Sequence, residues 1–107
     1  MALYELRTYT LKVGAMGEAV SLYNEFGWPA IQKEGHDKRL VGYFTGDTGM
    51  INQIVHLWRF EDDAERREHW ASVFSNAAFM EFAKDLRPNI LTQENQILNE
   101  APWGPNP

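Results

Sequence analysis

The sequence predicts an α+β fold: a ferredoxin-like βαββαβ unit whose four-stranded antiparallel sheet carries both helices on one face. Three observations predict it. Short runs rich in Val, Ile, Thr, Tyr and Trp alternate by side, as half-buried strands do. Two longer stretches instead repeat apolar residues every three or four positions, the period of an amphipathic helix. These elements fall in the order strand, helix, strand, strand, helix, strand. The 107 residues, 44% of them hydrophobic, fit one domain over residues 1–107, with a core at 3–98 and a Pro-rich tail at 99–107.

Leu3 to Lys12 is the first strand, closed by Gly14. Tyr4, Leu6, Thr8 and Thr10 share one side; Leu3, Glu5, Arg7, Tyr9 and Leu11 share the other. Ala15 to Gly27 is helical, with Met16, Val20, Tyr23 and Gly27 on one stripe and Ala19 and Phe26 beside it. Trp28-Pro29 is expected to interrupt it, because Pro lacks an N–H and restricts its predecessor. A short piece, Ala30 to Glu34, follows, and Gly35 suits a left-handed stop. Arg39 to Thr45 and Asn52 to Phe60 are strands two and three, joined through Gly46-Asp47-Thr48-Gly49.

Asp62 or Asp63 can cap the next helix, where Arg67, Trp70, Val73 and Phe74 lie along one side. Ser75 or Asn76 can cap its continuation, which aligns Phe79, Phe82, Ala83 and Leu86 and ends at Pro88. Ile90 to Leu98 is the fourth strand. The aromatic helix positions, Phe26 and Phe74 among them, read as core. Trp103 in the tail is expected to dock on its own domain or on a partner chain.

Right-handed crossovers place strands one and three at the sheet centre. The face left bare by the helices is expected to carry Tyr9, Ile54, His56, Trp58 and Phe60. That is too much apolar area to leave wet, so two copies are expected to pack sheet to sheet as a homodimer.

Ten basic and fifteen acidic residues give a net charge of −5, against the basic stripe that nucleic-acid binding requires. No apolar run is long enough to span a membrane. Met1 to Arg7 reads as strand and not as a signal peptide, so a cytoplasmic protein is expected. The absence of cysteine excludes disulfides and thiol chemistry. His36 and His69 fall on a loop and on a charged helix face, and no local pattern gathers three metal ligands. No metal and no cofactor are expected.

Chemistry concentrates on one strand side. Glu5 and Arg7 lie two residues apart, and His56 lies on the neighbouring strand between Ile54 and Trp58. Arg can hold a carboxylate or enolate oxygen, and His can exchange a proton near neutral pH. His56 as proton shuttle and Arg7 as anion holder are therefore the candidate catalytic residues. Glu5, Tyr9, Asn52, Trp58 and Asn95 are the candidate ligand-binding residues, with Tyr9 and Trp58 as flat apolar walls. The alternative is a Glu5–Arg7 or Glu5–His56 pair that only satisfies buried charge. The amides Asn52, Gln53, Gln93, Asn95 and Gln96 read either as a row of ligand contacts or as edge-strand polarity.

Tyr4-Glu5-Leu6-Arg7-Thr8-Tyr9-Thr10-Leu11 is one recognisable motif. Gly42-Tyr43-Phe44, Gly49, Asn52 and Val55-His56-Leu57-Trp58 follow, then Glu61-Asp62, Arg66, Pro88 and Gln93-Glu94-Asn95-Gln96-Ile97-Leu98. In this order the chain resembles the NIPSNAP family over residues 3 to 98. The resemblance implies a dimeric α+β barrel, in a superfamily that also holds cofactor-free monooxygenases, isomerases and haem-handling enzymes. It implies no settled activity. In such monooxygenases Asn, Trp, Tyr and Arg stabilise a substrate enolate, types present here at Asn52, Trp58, Tyr9 and Arg7. Three functions are open: a small-molecule-binding domain, a cofactor-independent monooxygenase or isomerase, and a protein-interaction module.

Overall fold

The computed structural model describes residues 2–107. In chain order it comprises β1 (Leu3–Leu11), α1 (Met16–Leu22), α2 (Trp28–Lys33), β2 (Leu40–Thr45), β3 (Gln53–Phe60), α3 (Asp63–Ser75), α4 (Ala77–Leu86) and β4 (Ile90–Asn99). The sheet is antiparallel with strand order β2-β3-β1-β4, so β1 and β3 are central. This is the ferredoxin-like α+β arrangement that the element order predicts. Asp62 caps α3 by accepting the Glu65 N–H at 2.8 Å, and Asn76 caps α4 by accepting the Phe79 N–H at 2.8 Å.

The expected sides of the sheet are reversed. Ile54, His56, Trp58 and Phe60 are all buried, at 3% exposure or less, beneath the chain's own helices. Ile31, Trp28, Trp70 and Phe79 pack on Trp58 and Phe60; Ala19, Phe82 and Leu86 pack with Leu11 and Ile54. Alternation separates two strand faces but does not say which one the helices take. Here the helices take the face with the larger rings, where ring-on-ring packing buries the most apolar area. The other face carries Leu6 beside Leu57 and Thr8 beside Val55, with Phe44 opposite Val55.

The first helical stretch does not break at Trp28-Pro29. Tyr23–Gly27 forms one π turn, in which the Trp28 N–H bonds the Tyr23 carbonyl, and α2 continues directly. Pro29 sits in the first turn of α2, where its missing N–H costs little. The wider turn absorbs the proline in place of a break. Gly35 ends the segment at φ 74°, the left-handed stop expected of it.

Three further expectations change. His69 lies not on a charged surface but inside, 8% exposed and ringed by Trp58, Phe60 and Trp70. Phe26 and Phe74 are 52% and 44% exposed, not core. Trp103 does not dock on its own domain and is 75% exposed. The tail returns to the sheet through Pro107, whose carbonyl accepts the Tyr4 hydroxyl at 2.5 Å. No helix of the described residues is long and apolar enough to cross a membrane.

Candidate functional site between sheet and helices

The centre of the site is set by strand register. Arg7 pairs across β1 and β3 with His56, and His56 pairs across β3 and β2 with Tyr43. Opposed residues of an antiparallel pair project to the same face, so all three side chains rise toward the helices. Glu5, Tyr9 and Trp58 join them by alternation along β1 and β3.

Glu5 is the polar hub and is 1% exposed. Its carboxylate accepts Arg7 Nη1 at 2.7 Å, Trp70 Nε1 at 3.0 Å and Arg66 Nη1 at 3.2 Å. Trp70 and Arg66 come down from α3, so the hub ties the helix layer to the sheet. Arg66 also bonds Asp63 at 2.9 Å. Arg7 donates through Nε to the Tyr9 hydroxyl at 3.3 Å and stacks over Trp70 with 4.3 Å to the ring centroid. Burial works against the Arg7 charge, but Tyr9 and Glu5 more than offset this and keep the guanidinium ionised.

His56 is 1% exposed and meets a different set of partners. Trp58 Nε1 donates to His56 Nδ1 at 2.6 Å. Tyr43 stacks on the imidazole at 4.5 Å between centroids and 15° between planes, and Tyr9 meets it edge-on at 5.0 Å. The second ring nitrogen, Nε2, is buried without a hydrogen-bond partner. Burial, with the Arg7 charge adding to it, holds the His56 imidazole well below the usual histidine range. The ring is therefore neutral at pH 7. An indole N–H can only donate, so Nδ1 is the bare nitrogen and Nε2 carries the proton.

Two cavities flank this centre. One, of about 120 Å³, is lined by Arg7, Tyr9, Phe79, Phe82 and Gln93 with Tyr23. The other, of about 260 Å³, lies between α1, the π turn and the β2–β3 hairpin and is lined by Val20, Trp28, Tyr43, Phe44 and Ile54, again with Tyr23. Tyr23, the first residue of the π turn, walls both. Burial pushes the Tyr23 and Tyr43 phenols up, so both stay protonated and offer hydroxyls to the site. His56 lines neither cavity; Tyr43, stacked on it, lines the larger, and Arg7 and Tyr9 line the smaller.

The remaining candidates from sequence divide between this centre and its surroundings. Glu5 and Trp58 belong to the centre but sit behind it, their polar atoms already bonded. Asn95 stands opposite Arg7 on β4, exposed, and accepts the Gln93 amide at 3.3 Å. Asn52 precedes β3, and its carbonyl accepts the Leu11 N–H at 2.7 Å. Tyr23, Tyr43, Arg66 and Trp70 were not among the expected site residues. Gly42-Tyr43-Phe44 carried a signal for Tyr43, since a strand pairing beside His56 must bring one residue of β2 against it.

The geometry defines a class: a ferredoxin-like α+β domain with an aromatic-walled polar centre enclosed between its sheet and its own helices. The NIPSNAP family model matches residues 4–105, and the chain belongs to the NIPSNAP family. It is 31% identical over 103 residues to the Homo sapiens protein NipSnap homolog 2, with 92% of this chain and 35% of that protein covered. It is 29% identical over 104 residues to Homo sapiens NipSnap homolog 3A, covering 94% of this chain and 40% of the relative. The chain thus spans well under half the length of these curated relatives. A NIPSNAP family protein of unknown function from Agrobacterium tumefaciens has a solved structure with TM-score 0.87 and 34% identity, covering 97% of this chain and 92% of that one. A solved antibiotic biosynthesis monooxygenase, 16% identical with TM-score 0.65 over 94% of this chain and 99% of that one, shares the fold.

Proposed function

We propose that this NIPSNAP domain binds a small, partly aromatic or anionic molecule between the sheet and the helix layer, with Arg7 and His56 as its polar contacts. The observation that carries this reading is the buried, unpartnered Nε2 of His56. An unmet buried donor costs about 1–3 kcal/mol, which a ligand oxygen would recover. Arg7 stands beside it with only two of its donor contacts made within the protein, and the walls are aromatic. Tyr43 links the larger cavity to this centre, since it lines the one and stacks on His56 in the other.

The test is a thermal-shift and titration panel of aromatic ketones, phenols and carboxylates. Binding to the wild type with loss in both Arg7→Ala and His56→Phe is expected. Equal binding in the variants, or no binding to the wild type across the panel, overturns the reading.

A second reading, a cofactor-independent monooxygenase or isomerase of an enolisable substrate, is favoured by the same pair of groups. A guanidinium and an imidazole N–H directed at one oxygen would stabilise an enolate. The monooxygenase of the same fold supports it at the level of fold alone. Oxygen consumption with anthrone- and quinol-like compounds distinguishes the oxygenase from the isomerase and from simple binding.

The homodimer is likewise a proposal, and the reversed sheet changes its surface. The pairing face would be formed by Leu6, Phe44, Val55 and Leu57, not by the His56 side. Enclosure of Arg7 and His56 then needs no second copy.

A further inference from the structure

We infer that His56 acts as a tautomer-locked, uncharged hydrogen-bond donor, with Trp58 as the residue that positions it, and that the site therefore takes a neutral carbonyl-bearing aromatic in preference to the matching carboxylate. This rests on the binding function proposed above and names its ligand class.

The lock follows from the Trp58–His56 contact. Trp58 is fully buried and its single N–H is spent on Nδ1 at 2.6 Å. With Nδ1 held as acceptor, the imidazole proton stays on Nε2. The two ring nitrogens point to opposite sides, so the Nε2–H is aimed away from Trp58. Tyr43 against one ring face and Tyr9 at the edge prevent the ring from turning over. A histidine arranged this way donates to a carbonyl oxygen without first taking up a proton. It is a poor proton shuttle, because the nitrogen that would accept a proton is already occupied.

The ligand's charge follows from the charges around the centre. Arg7 is bonded to Glu5, and Arg66 is shared by Glu5 and Asp63. Arg7, the buried cation, therefore already has a carboxylate. The titratable groups that face the imidazole are Arg7 and Tyr9 from β1 and Tyr43 from β2, with Tyr23 beyond Tyr43 in the helix layer. At the imidazole itself no positive charge is left over for a full anion; Arg87 also lines the smaller cavity, but it is exposed and its charge is screened by water. An ionised carboxylate entering this space would lose its hydration without a matching counter-charge, which is costly. A ketone oxygen needs only donors, and Nε2–H and the guanidinium supply them. The depressed His56 basicity agrees with the neutral ring.

Two measurements test this. The first is nitrogen-15 NMR of the histidine side chains in ligand-free wild-type protein. A protonated Nε2 and a bare Nδ1 for His56, unchanged between about pH 6 and 8, is expected. An imidazolium or the opposite tautomer in that range overturns the lock, whatever the ligand results. Trp58→Phe should release the ring to a mixture of tautomers, a signature that lost packing alone does not produce; an unchanged Nε2–H tautomer there removes Trp58 from the role.

The second is an NMR titration of acetophenone against benzoate, a pair matched in shape. Acetophenone should bind about tenfold more tightly. Equal or tighter binding of benzoate overturns the ligand class and leaves the binding function standing. Binding of neither overturns the ligand class and, with the wider panel, the binding function too. The tautomer measurement is independent of that outcome.

Discussion

At Glu5 one carboxylate accepts from a strand arginine, a helix arginine and a helix indole while almost wholly out of water. Removing its charge would leave Arg7 buried without a counter-ion. Glu5→Gln is therefore expected to cost about 3–5 kcal/mol of stability in urea denaturation. A loss under about 1 kcal/mol would mean that water reaches the pair and that it behaves as a surface contact. The buried histidines make the second residue-scale prediction. Burial holds His69 down to about 4 and His56 well below its ordinary value of 6.5. Their folded forms resist protonation, whereas the unfolded chain takes up protons as pH falls through about 6.5. Stability is therefore full above that pH and declines below it, by about 1.4 kcal/mol per pH unit for each histidine. His69→Gln should flatten the acid slope by one proton in denaturation measured across about pH 4.5 to 7. Alternation alone made Glu5, Arg7, Tyr9, His56 and Trp58 legible as one strand face in the sequence. Trp70 and Arg66 were not legible as partners of Glu5. Which helix side chain reaches down to a given strand residue depends on how the helix lies across the sheet, and no local period encodes that.

The π turn is where element-scale reading and structure part. Trp28-Pro29 reads as a helix break, but one widened turn accommodates the proline and keeps the axis continuous. Period rules cannot tell a break from a wider turn, because both shift the apolar stripe by about a residue. Gly27 inside this turn is buried, and a Cβ there would come within 2.6 Å of the Phe82 ring. Ala is the better helix former by about 1 kcal/mol. Gly27→Ala is nevertheless expected to destabilise by about 1–3 kcal/mol, since Phe82 is itself buried and has nowhere to retreat. A stabilised Gly27→Ala protein would show that the turn and α4 are looser than their packing implies. Tyr23 opens the same turn and walls both cavities, so distortion at Gly27 should also weaken ligand binding. The strand limits and the two capping residues, by contrast, were legible to within a residue or so. Side-chain alternation, Asp62, Asn76 and the glycine stops are local signals, and local signals survive into the fold.

For the whole molecule, element order and right-handed crossovers were enough to predict the sheet order, but the assignment of its two faces was inverted. Both faces carry apolar side chains, and only the fit between helix rings and strand rings decides between them. The inversion moves the proposed dimer surface to Leu6, Phe44, Val55 and Leu57, and Phe44 is 58% exposed. Leu57→Lys should then weaken self-association by about 100-fold or more while leaving the Arg7–His56 centre intact, as read by light scattering at micromolar concentration. A monomeric wild type would remove the dimer and nothing else. Ligand binding in the interior is decided by a crystal structure of the wild-type protein soaked with acetophenone. The ketone oxygen is expected within about 3 Å of His56 Nε2, with the ring among Tyr9, Tyr23 and Tyr43. A ketone seated only on the outer sheet face, with Nε2 still without an acceptor, would rule out His56 as the ligand's donor.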